Sequence, residues 1–165
     1  MIRVLASEGF DGLIDAPAWL QSAVNWINSK RFVEDEIELR VYAPEYSSFV
    51  VDGNEAPSLM GVNEGNADSA MIHLSTMTDF VDEDGTELTE RDGQEAVIHT
   101  LLHEYGHWVQ YVRDGYQTGG GWKHWSEYAD ESEYENEPWE VFAGAFADEN
   151  IEECLSWCAE RCLRL

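Results

Sequence analysis

Positive charge is what this sequence has least of. Of its 165 residues only 9 are lysine or arginine, against 34 aspartates and glutamates, for a formal net charge of −25. Only Lys30 and Lys123 are lysines. A surface of that sign repels phosphates, so nucleic acid is not an expected partner. Long apolar runs are missing too. No stretch approaches the ~20 residues that span a bilayer, so no membrane partner is expected. The opening residues, MIRVLASEGFDG, lack the charged-then-apolar layout of a signal peptide, which predicts a cytoplasmic chain, or a virion component if the source is viral. Cysteine is scarce: Cys154, Cys158 and Cys162 are the three in the chain, an odd number that argues against a disulfide scaffold and fits a reducing compartment. They fall four apart, so a helix over Ile151–Leu163 puts all three on one face. That spacing is not a recognised zinc pattern, and small buried hydrophobes is the reading it favours over a metal site completed by another chain. Internal repeats and low-complexity tracts are absent.

What is present is a globular composition. Hydrophobic residues make up 44% and there are seven tryptophans, enough for one domain with a core rather than a disordered acidic tail. The acids are spread along the chain. Carboxylates in that number keep a surface hydrated in high salt, where their mutual repulsion is screened, so a halophilic source is expected. The competing readings are a merely soluble acidic protein and a DNA mimic that fills a basic groove.

The chemistry concentrates in His103-Glu104-Tyr105-Gly106-His107, which reads H-E-x-x-H. Around it, Val97, Ile98, Leu101, Leu102, Tyr105, Trp108, Val109 and Val112 recur at helical spacing, which predicts a helix over Gln94–Arg113. Positions four apart share a helix face, so His103 and His107 can reach one metal ion. Glu104, one position on, can reach a water at that metal instead of the metal itself. Two imidazole ligands with an adjacent carboxylate base are the arrangement of a zinc hydrolase. A helix that merely happens to carry two histidines is the bland alternative, but burying them with an acid is costly without a task. Gly106 costs its helix roughly 1 kcal/mol relative to alanine. The close approach of another backbone beside the metal would explain it.

A catalytic zinc takes three protein ligands and water. His99 is four residues before His103, but positions 99 and 107 lie roughly 12 Å apart along a helix, too far to share one ion. His99 is therefore expected in the core or behind the ligands. The remaining candidates are His124, Glu127, Glu137 and Glu140. Spacing does not choose among them. Local pattern favours Glu140: in NEPWEVFAGAFA, residues 136–147, Pro138 suits a first helical turn. Glu140, Ala143, Gly144 and Ala147 then form a stripe of small residues that would let this helix approach the metal helix. Glu127 and Glu137 stay open as alternatives.

HEYGHWVQ followed by Y-x-x-x-P-W-E-V-F-A resembles the small zincin-like metallopeptidases of phages and microbial mobile elements. Those pair an H-E-x-x-H helix with a later P-x-E-x-x-A helix. The resemblance covers roughly residues 94–147 and implies the gluzincin type. Carried over, it implies His103, His107 and Glu140 as zinc ligands, Glu104 as base and Tyr134 as an oxyanion donor.

The expected fold is α+β: a minimal zincin-like single domain over 1–165, with an N-terminal helix and strands in 1–93 and the metal-binding and C-terminal helices in 94–165. Ile2–Ala6 reads as a strand, Ala16–Arg31 as a helix opened by Asp15 and Pro17, and Glu36–Tyr42 as a strand. Ser47–Val51 and Ser58–Val62 are weaker strands, Ala70–Ser75 a stronger one, and Asp82–Gly93 an acidic loop. Ala70–Ser75 would form the lip of a cleft along which a peptide pairs by strand addition. His73 on that strand can face the cleft, though a surface or core place suits it better. Gly119–Gly121, Trp122, Trp125, Tyr128 and Tyr134 would line a pocket or cover the core.

Two function classes follow. One is a zinc peptidase acting on peptide or protein substrates. The other is a structural or assembly protein, such as a viral particle component, that keeps the fold and the zinc without turnover.

Overall fold

The computed structural model describes residues 1–6, 13–43, 50–51, 54–55, 61–64, 71–76, 89–114 and 134–162. Its elements run β1 (Ile2–Val4), α1 (Ala18–Lys30), β2 (Ile37–Tyr42), β3 (Val50–Val51), β4 (Asn54–Glu55), β5 (Gly61–Glu64), β6 (Met71–Ser75), α2 (Glu90–Asp114) and α3 (Pro138–Cys162). Helices and a mixed sheet together make the chain α+β.

The main sheet has the order β1-β2-β6-β5. β1, β2 and β6 run parallel, and β5 returns antiparallel to β6. Strand alternation separates its two faces. Ile37, Leu39 and Val41 on β2 and Ile72 and Leu74 on β6 are fully buried. Their neighbours Glu38, Arg40, Tyr42 and His73 are half-buried on the opposite face. The buried face belongs to one core with Leu20, Val24 and Ile27 of α1 and Val97, Ile98, Leu101 and Leu102 of α2. Each such side chain contributes about 1.5–3 kcal/mol when removed from water.

β6 is paired on both sides, Leu39 to Ile72 with β2 and Asn63 to Ile72 with β5. It therefore has no free edge for a peptide, contrary to the expectation for Ala70–Ser75. Among the described residues that edge belongs to β5, which packs on α2. His73 stacks on Tyr42, with the tyrosine hydroxyl 3.0 Å from its Nδ1, on the face turned away from α2.

α2 starts at Glu90, so the acidic stretch before Gln94 is helical from there on. The reason is a capping box. The Thr89 hydroxyl lies 3.2 Å from the Asp92 amide as acceptor and 2.6 Å from the Asp92 carboxylate as donor, and the carboxylate accepts the Thr89 amide at 3.2 Å. Residues 82–88 lie outside the described residues. α3 is one helix of 25 residues, where the sequence suggested two segments. Neither glycine nor proline interrupts the junction, and the Asn150 side-chain Nδ2 donates back to the Phe146 carbonyl at 2.8 Å.

Phe32 joins the three helices. Its ring meets Trp26 of α1 at 6.0 Å, Tyr105 of α2 at 6.3 Å and Phe146 of α3 at 5.0 Å between centroids. The chain reaches it through Arg31, which ends α1 in the left-handed conformation at φ 51°. This aromatic joint fixes α2 and α3 where they cross.

Candidate metal centre

α2 and α3 cross at Gly106. A Cβ there would lie 3.1 Å from the Ala143 Cα, 3.2 Å from the Phe146 Cβ and 3.3 Å from the Ala143 oxygen. Glycine at this position lets the two backbones touch, as the sequence suggested. The small-residue stripe on α3 is narrower than expected. Ala143 and Ala147 are fully buried, but a Cβ on Gly144 would meet nothing within 4 Å, so Gly144 is not part of the crossing.

The close crossing brings Glu140 against both histidines. Its Oε2 lies 3.1 Å from the His103 Nε2, and its Oε1 lies 3.5 Å from the His107 Nε2. The two imidazoles stand edge to face, 4.8 Å between ring centroids. One donor atom from each of His103, His107 and Glu140 falls within a 4.8 Å group, the arrangement of side chains that can hold a metal ion. His107 and Glu140 are buried, and His103 is half-buried. Glu104, buried at 8% exposure, follows His103 on the same helix.

The donor set tests well against a tetrahedral cation. Two imidazoles and one carboxylate are a donor set such an ion accepts, and one atom from each lies within 4.8 Å of the others. The electrostatics agree. Burial pushes the Glu140 carboxyl up, but hydrogen bonds from His103, His107 and Tyr134 outweigh it and hold it far below the usual carboxylate range. Burial pulls His103 down, but its bond to Glu140 and the charges of Glu104, Glu140 and Asp148 outweigh that and hold it above the usual histidine value. Both shifts run in the direction that favours positive charge beside the Glu140 carboxylate.

Among the described residues, the other candidates fall elsewhere. Glu137 heads α3, accepting the Val141 amide at 3.0 Å through its carbonyl, and is not among the three gathered donors. His124, Glu127, Gly119–Gly121, Trp122, Trp125 and Tyr128 lie outside the described residues. His99 is neither in the core nor against the three donors. Its Nε2 is 3.0 Å from Asp148 Oδ1, and the two side chains are 42% and 76% exposed. Asp148 went unnoticed in the sequence, although it stands eight residues after Glu140 and so on the same side of α3. Tyr134 stands half-buried just before α3, six residues before Glu140.

No protein-family model matches the chain, and no curated protein or solved structure matches it.

Proposed function

We propose that this chain is a zinc-dependent metallopeptidase. The observation that carries the reading is the coincidence of a two-histidine, one-glutamate donor group with a buried carboxylate, Glu104, beside the first ligand. Two imidazoles and one carboxylate suit zinc, and three protein donors leave a fourth position for water. A zinc ion bound there would lower the pKa of that water to ~7 and polarise a peptide carbonyl.

The chain's own groups supply the rest. Glu104 accepts the proton of the attacking water and passes it to the departing amine, so one carboxylate acts as base and then as acid. His103, His107 and Glu140 stay fixed through both steps, because α2 and α3 touch at Gly106. β5, antiparallel to β6 and packed on α2, offers a backbone edge with which an extended peptide can pair. The resemblance suggests Tyr134, half-buried just before α3, as the oxyanion donor.

The test is Glu104→Gln, assayed on unfolded protein substrates in dilute buffer and in molar KCl. The variant keeps its metal and its melting temperature, and hydrolysis falls by ~10²–10⁴-fold, because an amide cannot take the water's proton. Equal activity in variant and parent refutes the mechanism. Metal binding with no hydrolysis by the parent in either salt directs attention to the assembly role without turnover.

A further inference from the structure

We propose that an extended peptide reaches the donor group over Gly144, and that the missing side chain at this position makes room for it. The proposal deepens the peptidase reading and rests on the metal site of His103, His107 and Glu140.

The glycines of α2 and α3 at this site differ in kind. A Cβ on Gly106 would press on the Ala143 Cα at 3.1 Å, so the fold itself accounts for that glycine. Gly144 has no such account. It lies inside α3 without a left-handed backbone, and among the described residues a Cβ on it would meet nothing within 4 Å. Glycine leaves a helix less stable than alanine would, and nothing in the packing of the described residues offsets that here. What glycine offers in such a place is close approach for the backbone of a ligand.

Its position says which ligand. Residues four apart share a helix face, so Glu140, Gly144 and Asp148 form a row on α3, as His99, His103 and His107 do on α2. Both ends of the α3 row meet the α2 row. Glu140 Oε2 lies 3.1 Å from His103 Nε2, and Asp148 Oδ1 lies 3.0 Å from His99 Nε2. Gly144 stands between the two carboxylates, one helical turn from each, and leaves a gap in the row. His103 is the most open of the three donors, with its side chain 26% exposed against 7% for His107 and Glu140. Glu140 Oε1 is buried and has no hydrogen-bond partner among the described residues, and a buried carboxylate oxygen of that kind calls for a ligand. A peptide that crosses α3 between Glu140 and Asp148 therefore comes to the donor group from its more open side and meets no side chain from position 144.

The experiment compares the full chain with its Gly144→Ala and Gly144→Leu variants. The probes are zinc, cobalt(II), acetohydroxamate, and trileucine carrying a hydroxamate at its N-terminal or its C-terminal end. Hydroxamate binding is read from the visible absorption of the cobalt form. Without metal, both variants should melt at or above the parent temperature, because alanine and leucine favour a helix over glycine. Both should hold zinc as tightly as the parent. Acetohydroxamate should bind the parent and Gly144→Leu alike. At least one trileucine probe should bind Gly144→Leu about 10-fold more weakly or worse, with Gly144→Ala in between, and kcat/KM on an unfolded protein should fall in step. Parent-like affinity of Gly144→Leu for both trileucine probes overturns the proposal. So does a lower metal-free melting temperature in Gly144→Ala, which would mean that the chain's own atoms fill the space. A parent that hydrolyses nothing, while its trileucine affinity is lost in Gly144→Leu, supports the path and rejects the peptidase reading. A parent that binds neither zinc nor cobalt overturns both.

Discussion

The two halves of α3 bury different things for different ends. The first half, from Pro138 to Ala147, lies against α2 and buries Glu140, Ala143, Phe146 and Ala147. The second half turns to α1 and buries Cys154 and Cys158, with Ile151, Leu155 and Trp157 packed beside them. Cys158 Sγ lies 3.8 Å from the Trp19 carbonyl, and Lys30 of α1 pairs with Glu153. A buried thiol is nearly apolar and needs only a fitting space. A buried carboxylate needs donors or a cation, and so do the imidazoles that face it. One helix thus carries a half whose stability would rise if an ion filled the donor group and a half whose stability would not.

The sharpest way to test that contrast is to remove a ligand. His107→Ala should abolish tight metal binding, measured by elemental analysis of protein prepared without chelator. It should also remove the stabilisation that the bound ion provides, ~4 kcal/mol when free metal is a thousand times the Kd. Amide exchange should localise the effect. Metal should protect residues 138–147 in the parent and not in the variant, while 151–162 exchange alike in both. Equal protection of both halves by metal would erase the distinction. A parent that carries no metal would remove its cause.

Much of the donor group at the crossing of α2 and α3 was legible in the sequence. His103 and His107 stand four residues apart, one helical turn, and Glu140 stood ahead of Glu127 and Glu137 because Pro138 and a stripe of small residues share its segment. What the sequence hid was pairing. Nothing in MIHLS says that the neighbouring Gly61–Glu64 folds back along it, Glu64 opposite Met71, and so closes the edge that was expected to be free. The start of α2 was hidden for another reason. Thr89 and Asp92 are a legible capping pair, but in a chain this acidic an aspartate reads first as solvated surface. Asp148 shows the same limit from the other side. Its partner, His99, comes from a different helix.

A second, smaller test acts on the crossing itself. In Gly106→Ala, the helix gains roughly 1 kcal/mol of propensity. Against this, the new methyl would press on the Ala143 Cα at 3.1 Å and its oxygen at 3.3 Å, backbone atoms that cannot swing aside. Overpacking of this kind costs ~1–3 kcal/mol, so the net sign is destabilising. The helices should part slightly where Glu140 meets the histidines. Metal affinity should fall along with the melting temperature, and the second half of α3 should keep its exchange rates. A variant more stable than the parent would mean that α3 can shift at no cost and that the crossing does not set the donor spacing.

The smallest effect is expected in the other half. Cys154 is fully buried in the apolar core, and its sulfur shares a hydrogen bond with Cys158. That bond, and after it burial, holds the Cys154 thiol far above the usual cysteine range, so it stays protonated and unreactive at neutral pH. Cys154→Ala removes a single buried heavy atom and leaves a small void, which costs about 1 kcal/mol. Nothing in that loss touches Glu140, fourteen residues up the helix from Cys154. Zinc affinity and turnover should therefore match the parent while the melting temperature drops by a few degrees. A weakened metal site in Cys154→Ala would show that the two halves of α3 act as one unit, and that the thiols help to place the ligand helix.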